Sequence, residues 1–157
     1  MRDRLTAGLV AGIAGGVFIA VFVFAAELAA GMPPSVLWTN FAFVAATLLG
    51  PSAGGSPLVM PIGLGLHFCV AIGWALGYAY LVRTQPQLVA RPWVSGAGFG
   101  IVVYVFMMIV LITAGQYHRP PPGVLGTQLI AHIAFYGIPV ALIVARMLRP
   151  HAGAGPA

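Results

Sequence analysis

Three ionisable side chains fall inside long apolar runs of this chain: Glu27, His67 and His132. Titratable groups are costly in the hydrocarbon core of a membrane, so residues of this kind are functional candidates by default. The two histidines each lie nine or so residues inward from one end of their runs, which corresponds to ~13 Å on a helix. All three residues belong to the same, outer half of the membrane.

Two histidines at equal depth, on helices that run in the same direction, could both ligate one haem iron, as in membrane b-type cytochromes. Haem b held between His67 and His132 is therefore one hypothesis. Gln128 and Tyr136 share the face of His132 at helical spacing and extend this candidate site. A metal site of both histidines and Glu27 is less favoured, because Glu27 lies nearer the surface by more than a helical turn.

Proton-linked transport or an acid response is a further hypothesis for the same residues. Histidine titrates near neutral pH, and intramembrane acids and histidines form proton relays in transporters. A catalytic function is not predicted, since the chain has no Gly-x-Ser-x-Gly elbow, no phosphate-binding loop and a single cysteine, Cys69. An intramembrane histidine more often bonds to a neighbouring helix than to a cofactor.

The elements that carry these residues are predicted by composition and hydropathy. Of the 157 residues, 61% are hydrophobic and 6% are charged, whereas soluble domains carry roughly 25% charge. The chain is therefore expected to be an all-α polytopic membrane protein forming one domain, residues 1–149. Its four transmembrane helices are predicted over 5–30, 58–82, 93–114 and 124–148. A shorter apolar segment, 35–50, predicts an interfacial or re-entrant helix on the outer face, and 150–157 a flexible tail.

The arginines predict the orientation of the chain in the membrane. Six of the seven fall on one side of the predicted spans and only Arg119 falls on the other; the six are Arg2, Arg4, Arg83, Arg91, Arg146 and Arg149. By the positive-inside rule both termini are expected in the cytoplasm. The arginines are scattered and form no stripe for phosphates, so nucleic acid is not an expected partner.

The two halves of the chain repeat. Gly12, Gly16, Phe22 and Gly31 recur as Gly96, Gly100, Phe106 and Gly115 at a constant offset of 84, and His67 recurs as His132 at an offset of 65. This pattern predicts two parallel two-helix repeats, related by a pseudo-two-fold axis along the membrane normal.

Small residues at a spacing of four occur in every predicted span and favour close packing of helix backbones. The stripes are Gly8, Gly12 and Gly16; Gly65, Cys69, Gly73 and Gly77; Gly96 and Gly100; and Gly137, Ala141 and Ala145. They could all hold the bundle together, or one of them could dock a second copy or a larger complex. Both interpretations remain open at this point.

Several short motifs follow one another along the chain in a characteristic order. They are Gly8-Leu-Val-Ala-Gly-Ile-Ala-Gly with Glu27 and Pro33-Pro34, His67 followed by Gly77-Tyr78, Trp93 with the stripe from Gly96 to Gly100, and His132 with Arg146. In these motifs the chain resembles the YagU-type family of small bacterial inner-membrane proteins, a domain of unknown function. The third span departs from a family member by carrying Met107-Met108 in place of a histidine, and the outer segment is shorter. The resemblance implies an inner-membrane location and a connection to acid tolerance.

The leading hypothesis is a non-catalytic membrane component, either a self-associating bundle or an accessory subunit of a larger complex. Its expected partners are the lipid bilayer and other membrane subunits or further copies of itself. No cofactor is expected under this hypothesis, and haem b belongs to the alternative.

Overall fold

The computed structural model describes residues 2–50, 56–116 and 121–149, and every regular element within them is helical. The elements are α1 (Arg2–Ala29), α2 (Val36–Leu49), α3 (Val59–Leu81), α4 (Gln87–Ala90), α5 (Pro92–Thr113), α6 (Pro122–Ile130), a π-helical segment (Ala131–Gly137) and α7 (Ile138–Leu148). The last three are continuous and are called the C-terminal helix below.

Within the described residues, four helices are long and apolar enough to cross a membrane: Asp3–Ala29, Val59–Leu81, Pro92–Thr113 and Pro122–Leu148. They confirm the predicted all-α, four-helix membrane fold, and each end agrees with the prediction to within two residues. The predicted short helix over 35–50 is α2. The predicted tail, 150–157, lies outside the described residues.

Glycine ends α1 and α5 in the same way. Gly31 and Gly115 have φ angles of +84° and +67°, which glycine adopts without a steric penalty. The amide of Gly31 donates to Leu28 O at 3.0 Å and that of Met32 to Glu27 O at 3.0 Å, which is the Schellman pattern of a helix C-terminus. Gly115 and the residue after it repeat this pattern.

The bundle is arranged around α1, which packs along α3 on one side and along the C-terminal helix on the other. The C-terminal helix also packs along α5. Between α3 and α5 the contact is made by aromatic rings. Trp74 lies edge-on to Phe106 with a distance of 5.0 Å between the ring centroids, and the centroids of Tyr78 and Phe99 are 4.8 Å apart. These rings close the four-helix bundle.

Both helix pairs of the repeat meet through glycine. A Cβ atom on Gly16 would lie 3.0 Å from the ring of Phe68, and one on Gly100 would lie 2.7 Å from Ile133 Cα. Gly100 is 84 residues after Gly16 and Ile133 is 65 residues after Phe68, the two offsets of the predicted repeat. The packing of α1 on α3 therefore recurs, in the same register, between α5 and the C-terminal helix.

The π-helical segment ends two residues before Pro139, in the middle of the last span. Pro139 has no amide hydrogen for the carbonyl four residues earlier and its ring crowds that carbonyl. Widening the preceding turns relieves this conflict, and the amide of Ile138 accordingly donates to Ile133 O, five residues back. The segment carries His132, Tyr136 and Gly137.

α2 lies at the end of the bundle where α1 ends and α3 begins. It packs mainly on α3, and a Cβ atom on Gly63 would overlap the carbonyl of Phe41. Glycine in α3 therefore lets the backbone of α2 approach the first turns of the span.

Candidate functional site

His67 links α3 to α1. Its Nε2 lies 3.0 Å from the carbonyl oxygen of Gly16; since a carbonyl only accepts, Nε2 carries the proton and donates. The ring meets Phe41 of α2 and Phe68 of α3 edge-on, at centroid distances of 5.7 and 5.2 Å. His67 thus forms the interhelical hydrogen bond expected of an isolated histidine in a membrane.

His132 bonds within its own helix. Its Nδ1 donates to the carbonyl oxygen of Gln128 at 2.7 Å, one turn earlier, and its ring meets Tyr104 of α5 edge-on at 5.6 Å. Gln128 contributes to this contact through its main chain. A proton on Nδ1 leaves Nε2 as the unprotonated nitrogen, the form in which histidine binds metals.

Tyr136 is buried and links the C-terminal helix to α3. Its hydroxyl donates to the carbonyl oxygen of Ala71 in α3 at 2.5 Å. The ring crosses α1 at Gly15, where a Cβ atom would lie 2.9 Å from Tyr136 Cδ2. Gly15 lies outside the predicted stripes; its signal in the sequence is the glycine pair that it forms with Gly16.

Glu27 takes part in a separate contact at the end of α1. Its carboxylate accepts a hydrogen bond of 2.6 Å from Asn40 Nδ2 and so joins α1 to α2. In the described part of the chain, no three or more His, Cys, Asp or Glu side chains come together. Glu27 therefore does not join the two histidines in a three-ligand metal site.

His67 and His132 do not fit a haem held by both rings in this arrangement. His67 uses Nε2 on Gly16, and ligation through that nitrogen would break the bond between α1 and α3. The rings also contact different helices, α1 and α2 for His67 and α5 for His132. On α1, the space beside Gly15 is filled by Tyr136, and Phe22 stacks on Phe135 at 3.9 Å.

The predicted glycine stripes have different environments. In α1, a Cβ atom on Gly8 or Gly12 would collide with α3, and in the second repeat Gly96, Gly100 and Gly137 pack against one another. The stripe on α3, formed by Gly65, Cys69, Gly73 and Gly77, is exposed along its whole length. A Cβ atom on any of its three glycines would meet nothing within 4 Å. We call this surface the α3 stripe.

The opposite end of the bundle from α2, called the arginine-rich end below, is built around α4. Arg149 Nη2 donates to Val89 O at 2.8 Å. Ser95 Oγ donates to Leu88 O at 2.8 Å and lies 2.8 Å from the hydroxyl of Tyr78. Ser95 of α5 and Arg149 at the end of the C-terminal helix therefore hold this short helix against the bundle, and Tyr78 of α3 supports Ser95.

Comparison with family models, curated proteins and solved structures found no match to this chain. The resemblance to the YagU-type family remains a prediction from its motifs.

Proposed function

We propose that this protein is a non-catalytic integral membrane protein that assembles with a second copy of itself through the α3 stripe. The observation that carries the proposal is the exposure of Gly65, Gly73 and Gly77 at a spacing that brings helix backbones together. The chain has the composition of a bundle embedded in lipid, and four of its polar side chains are engaged in hydrogen bonds that join helices or stay within one: Glu27, His67, His132 and Tyr136.

Small residues matter here because lipid tails are as apolar as leucine, so burial of apolar surface drives helix association only weakly in a membrane. Van der Waals contact between closely approaching backbones takes its place. On α5 the outward face instead carries large side chains, such as Val102 and Ile109, which are 56% and 53% exposed. The α3 stripe is thus the surface on which two copies of the bundle would approach most closely.

The proposed setting is the bacterial inner membrane, with both termini in the cytoplasm. The support is the positive-inside asymmetry of the arginines, together with the resemblance to small inner-membrane proteins. In this orientation α2 and Glu27 face the periplasm and α4 lies at the cytoplasmic surface.

Cys69 makes the proposal directly testable, because the only cysteine of the chain lies on the α3 stripe. Oxidative cross-linking in membranes should give a disulfide-linked dimer, since a disulfide requires Cα atoms within ~7 Å of each other. Gly73→Leu should abolish this product. Gly98→Leu is the matched control, because Gly98 is equally open but lies on α5.

A second control moves the cysteine. In Cys69→Ser combined with Val102→Cys, the thiol lies on the exposed face of α5 and should not cross-link. Equal cross-linking from both positions would mean random collision and would refute the proposal, as would a wild-type level of dimer in Gly73→Leu. A monomer that is recovered only within a larger complex would favour the accessory-subunit alternative.

A further inference from the structure

An open cavity of about 480 Å³ lies at the arginine-rich end, between α4 and the first turn of α5. Three of its six lining residues have polar side chains, but most of the lining surface is apolar; the lining residues are Gln87, Leu88, Ala90, Arg91, Val94 and Ser95. The α3 stripe contributes no residue to it, so an inference from this cavity is independent of the proposed dimer.

The back of the cavity is fixed by the hydrogen bonds that hold α4. Ser95 Oγ bonds to the carbonyl of Leu88, and Arg149 bonds to the carbonyl of Val89. The side chain of Arg91 is exposed at the edge of the cavity. A preformed wall with a cation at its edge requires little reorganisation to bind an anion.

The charge at this end is strongly one-sided. The chain has only two acidic residues, Asp3 and Glu27. Glu27 lies at the other end of the bundle, where it bonds to Asn40. In the described part of the chain, the arginine-rich end therefore carries Arg4, Arg83, Arg91, Arg146 and Arg149 against the single carboxylate of Asp3, so positive charge is in excess there.

The cavity also borders the surface of α5 that would face lipid. Val94 is 70% exposed and Trp93 is 62% exposed, and tryptophan marks the level of the headgroups in membrane proteins. A ligand that matches both parts of this surface has an anionic head and a hydrocarbon chain.

We propose that this cavity binds the headgroup of an anionic phospholipid, with its phosphate on Arg91 and an acyl chain running along Val94. Basic pockets at the cytoplasmic side of membrane proteins bind anionic lipids by the same chemistry. Such a site would hold the lipid at the surface of the bundle whether or not two copies associate.

The test uses the full chain purified in a neutral detergent, with phosphatidylglycerol and phosphatidylcholine of identical acyl chains as probes. Binding is measured by native mass spectrometry. Phosphatidylglycerol should bind more tightly, and Arg91→Gln should weaken its binding roughly five- to tenfold. Arg83→Gln removes the same charge from the same end outside the cavity lining, and it should leave binding close to the wild-type value.

Two further measurements distinguish binding in the cavity from binding elsewhere on the protein. Val94→Trp keeps Arg91 but occupies the mouth of the cavity, so it should also weaken phosphatidylglycerol binding, and an unchanged affinity would overturn the proposal. Equal losses in Arg83→Gln and Arg91→Gln would show a diffuse surface charge instead of a site. Glycerol 3-phosphate should not compete with the lipid; effective competition would identify a phosphate site that needs no acyl chain.

Discussion

Alanine substitutions at Gly12 and Gly73 should have different consequences for the stability of the monomer, although both glycines belong to stripes with the same spacing. Gly12 lies in the contact between α1 and α3, whereas Gly73 lies on the α3 stripe. We expect Gly12→Ala to destabilise the bundle, and Gly73→Ala to leave the stability of the monomer unchanged.

The size of the first effect follows from the contact geometry. A Cβ atom on Gly12 would lie 2.5 Å from Ile72 Cα, whereas packed carbon atoms are about 3.5–4.0 Å apart. The two helices must therefore separate by about 1 Å or more, and overpacking of this kind costs ~1–3 kcal/mol. The same movement would stretch the 3.0 Å hydrogen bond from His67 to Gly16 beyond its useful range.

Interhelical hydrogen bonds in membranes contribute ~0.6 kcal/mol on average. Adding the lost bond to the steric cost gives an expected destabilisation of about 1.6–3.6 kcal/mol for Gly12→Ala. At Gly73 nothing lies within 4 Å of the added methyl group. That substitution should leave the free energy of unfolding at the wild-type value or raise it slightly, because alanine is the better helix former.

Unfolding can be followed by titrating sodium dodecyl sulfate into mixed micelles and recording tryptophan fluorescence. Trp74 is the useful reporter, because its ring packs on Phe99 and Phe106 between α3 and α5. The titration should be made at several dilutions, since association stabilises the folded state by mass action. Only the limit at high dilution describes the monomer.

Equal stability of Gly12→Ala and the wild type at high dilution would refute this assignment of the α1 stripe. A loss of stability in Gly73→Ala at the same dilution would refute the assignment of the α3 stripe as free in the monomer.

Three further predictions concern the polar contacts. Tyr136→Phe removes the buried hydrogen bond to Ala71 and should lower the free energy of unfolding by ~0.6–1.7 kcal/mol in the same titration; an unchanged value would mean that this bond adds no net stability. Asn40→Ala leaves the carboxylate of Glu27 without its donor, so hydrogen exchange of the α2 amides should accelerate while those of α5 stay protected. Ser95→Ala should expose α4 to proteolysis without affecting α2, and resistance equal to the wild type would show that the remaining contacts of α4 suffice.

The positions of the spans were predictable because their signals are local. Apolar length sets the number of spans, and Gly31 and Gly115 end two of them at positions that the repeat relates. The π-helical segment was not predicted, although its signal is in the sequence: Pro139 lies inside the last apolar run. A proline there requires a change in the hydrogen-bond pattern, and widening of the preceding helical turns is one of several solutions.

Which stripe is buried could not be predicted. In a soluble helix the polar face identifies the side that meets water, but both sides of a transmembrane helix are apolar. Gly12 and Gly73 therefore have the same signature in the sequence. Their difference depends on the rotation of each helix, which long-range contacts such as the bond from Tyr136 to Ala71 determine.

For the candidate site, too, the sequence predicted the positions of the residues along the helices but not their contacts. The sequence predicted that His67 and His132 lie at equivalent positions of the repeat, but the direction of each imidazole depends on its acceptor. The carbonyl of Gly16 is within reach of His67 because glycine brings α1 close to α3. His132 bonds instead to Gln128 in its own helix. Equal depth was therefore insufficient evidence that both rings face one ligand.

The small residues of the α3 stripe are not repeated in the second half of the chain, and this bears on the role proposed for this surface. The offset of 65 that relates His67 to His132 carries the stripe onto four positions of the C-terminal helix, which hold Ile130, Ala134, Ile138 and Leu142. Three of these four residues are large, so duplication of the fold does not require small residues on this face. The contacts within the bundle do not require them either, because a Cβ atom on any of the three glycines would meet nothing within 4 Å. Glycine also lowers helix stability relative to alanine. The proposed association with another helix would account for small residues on a surface where they are costly for the helix and unnecessary for the monomer.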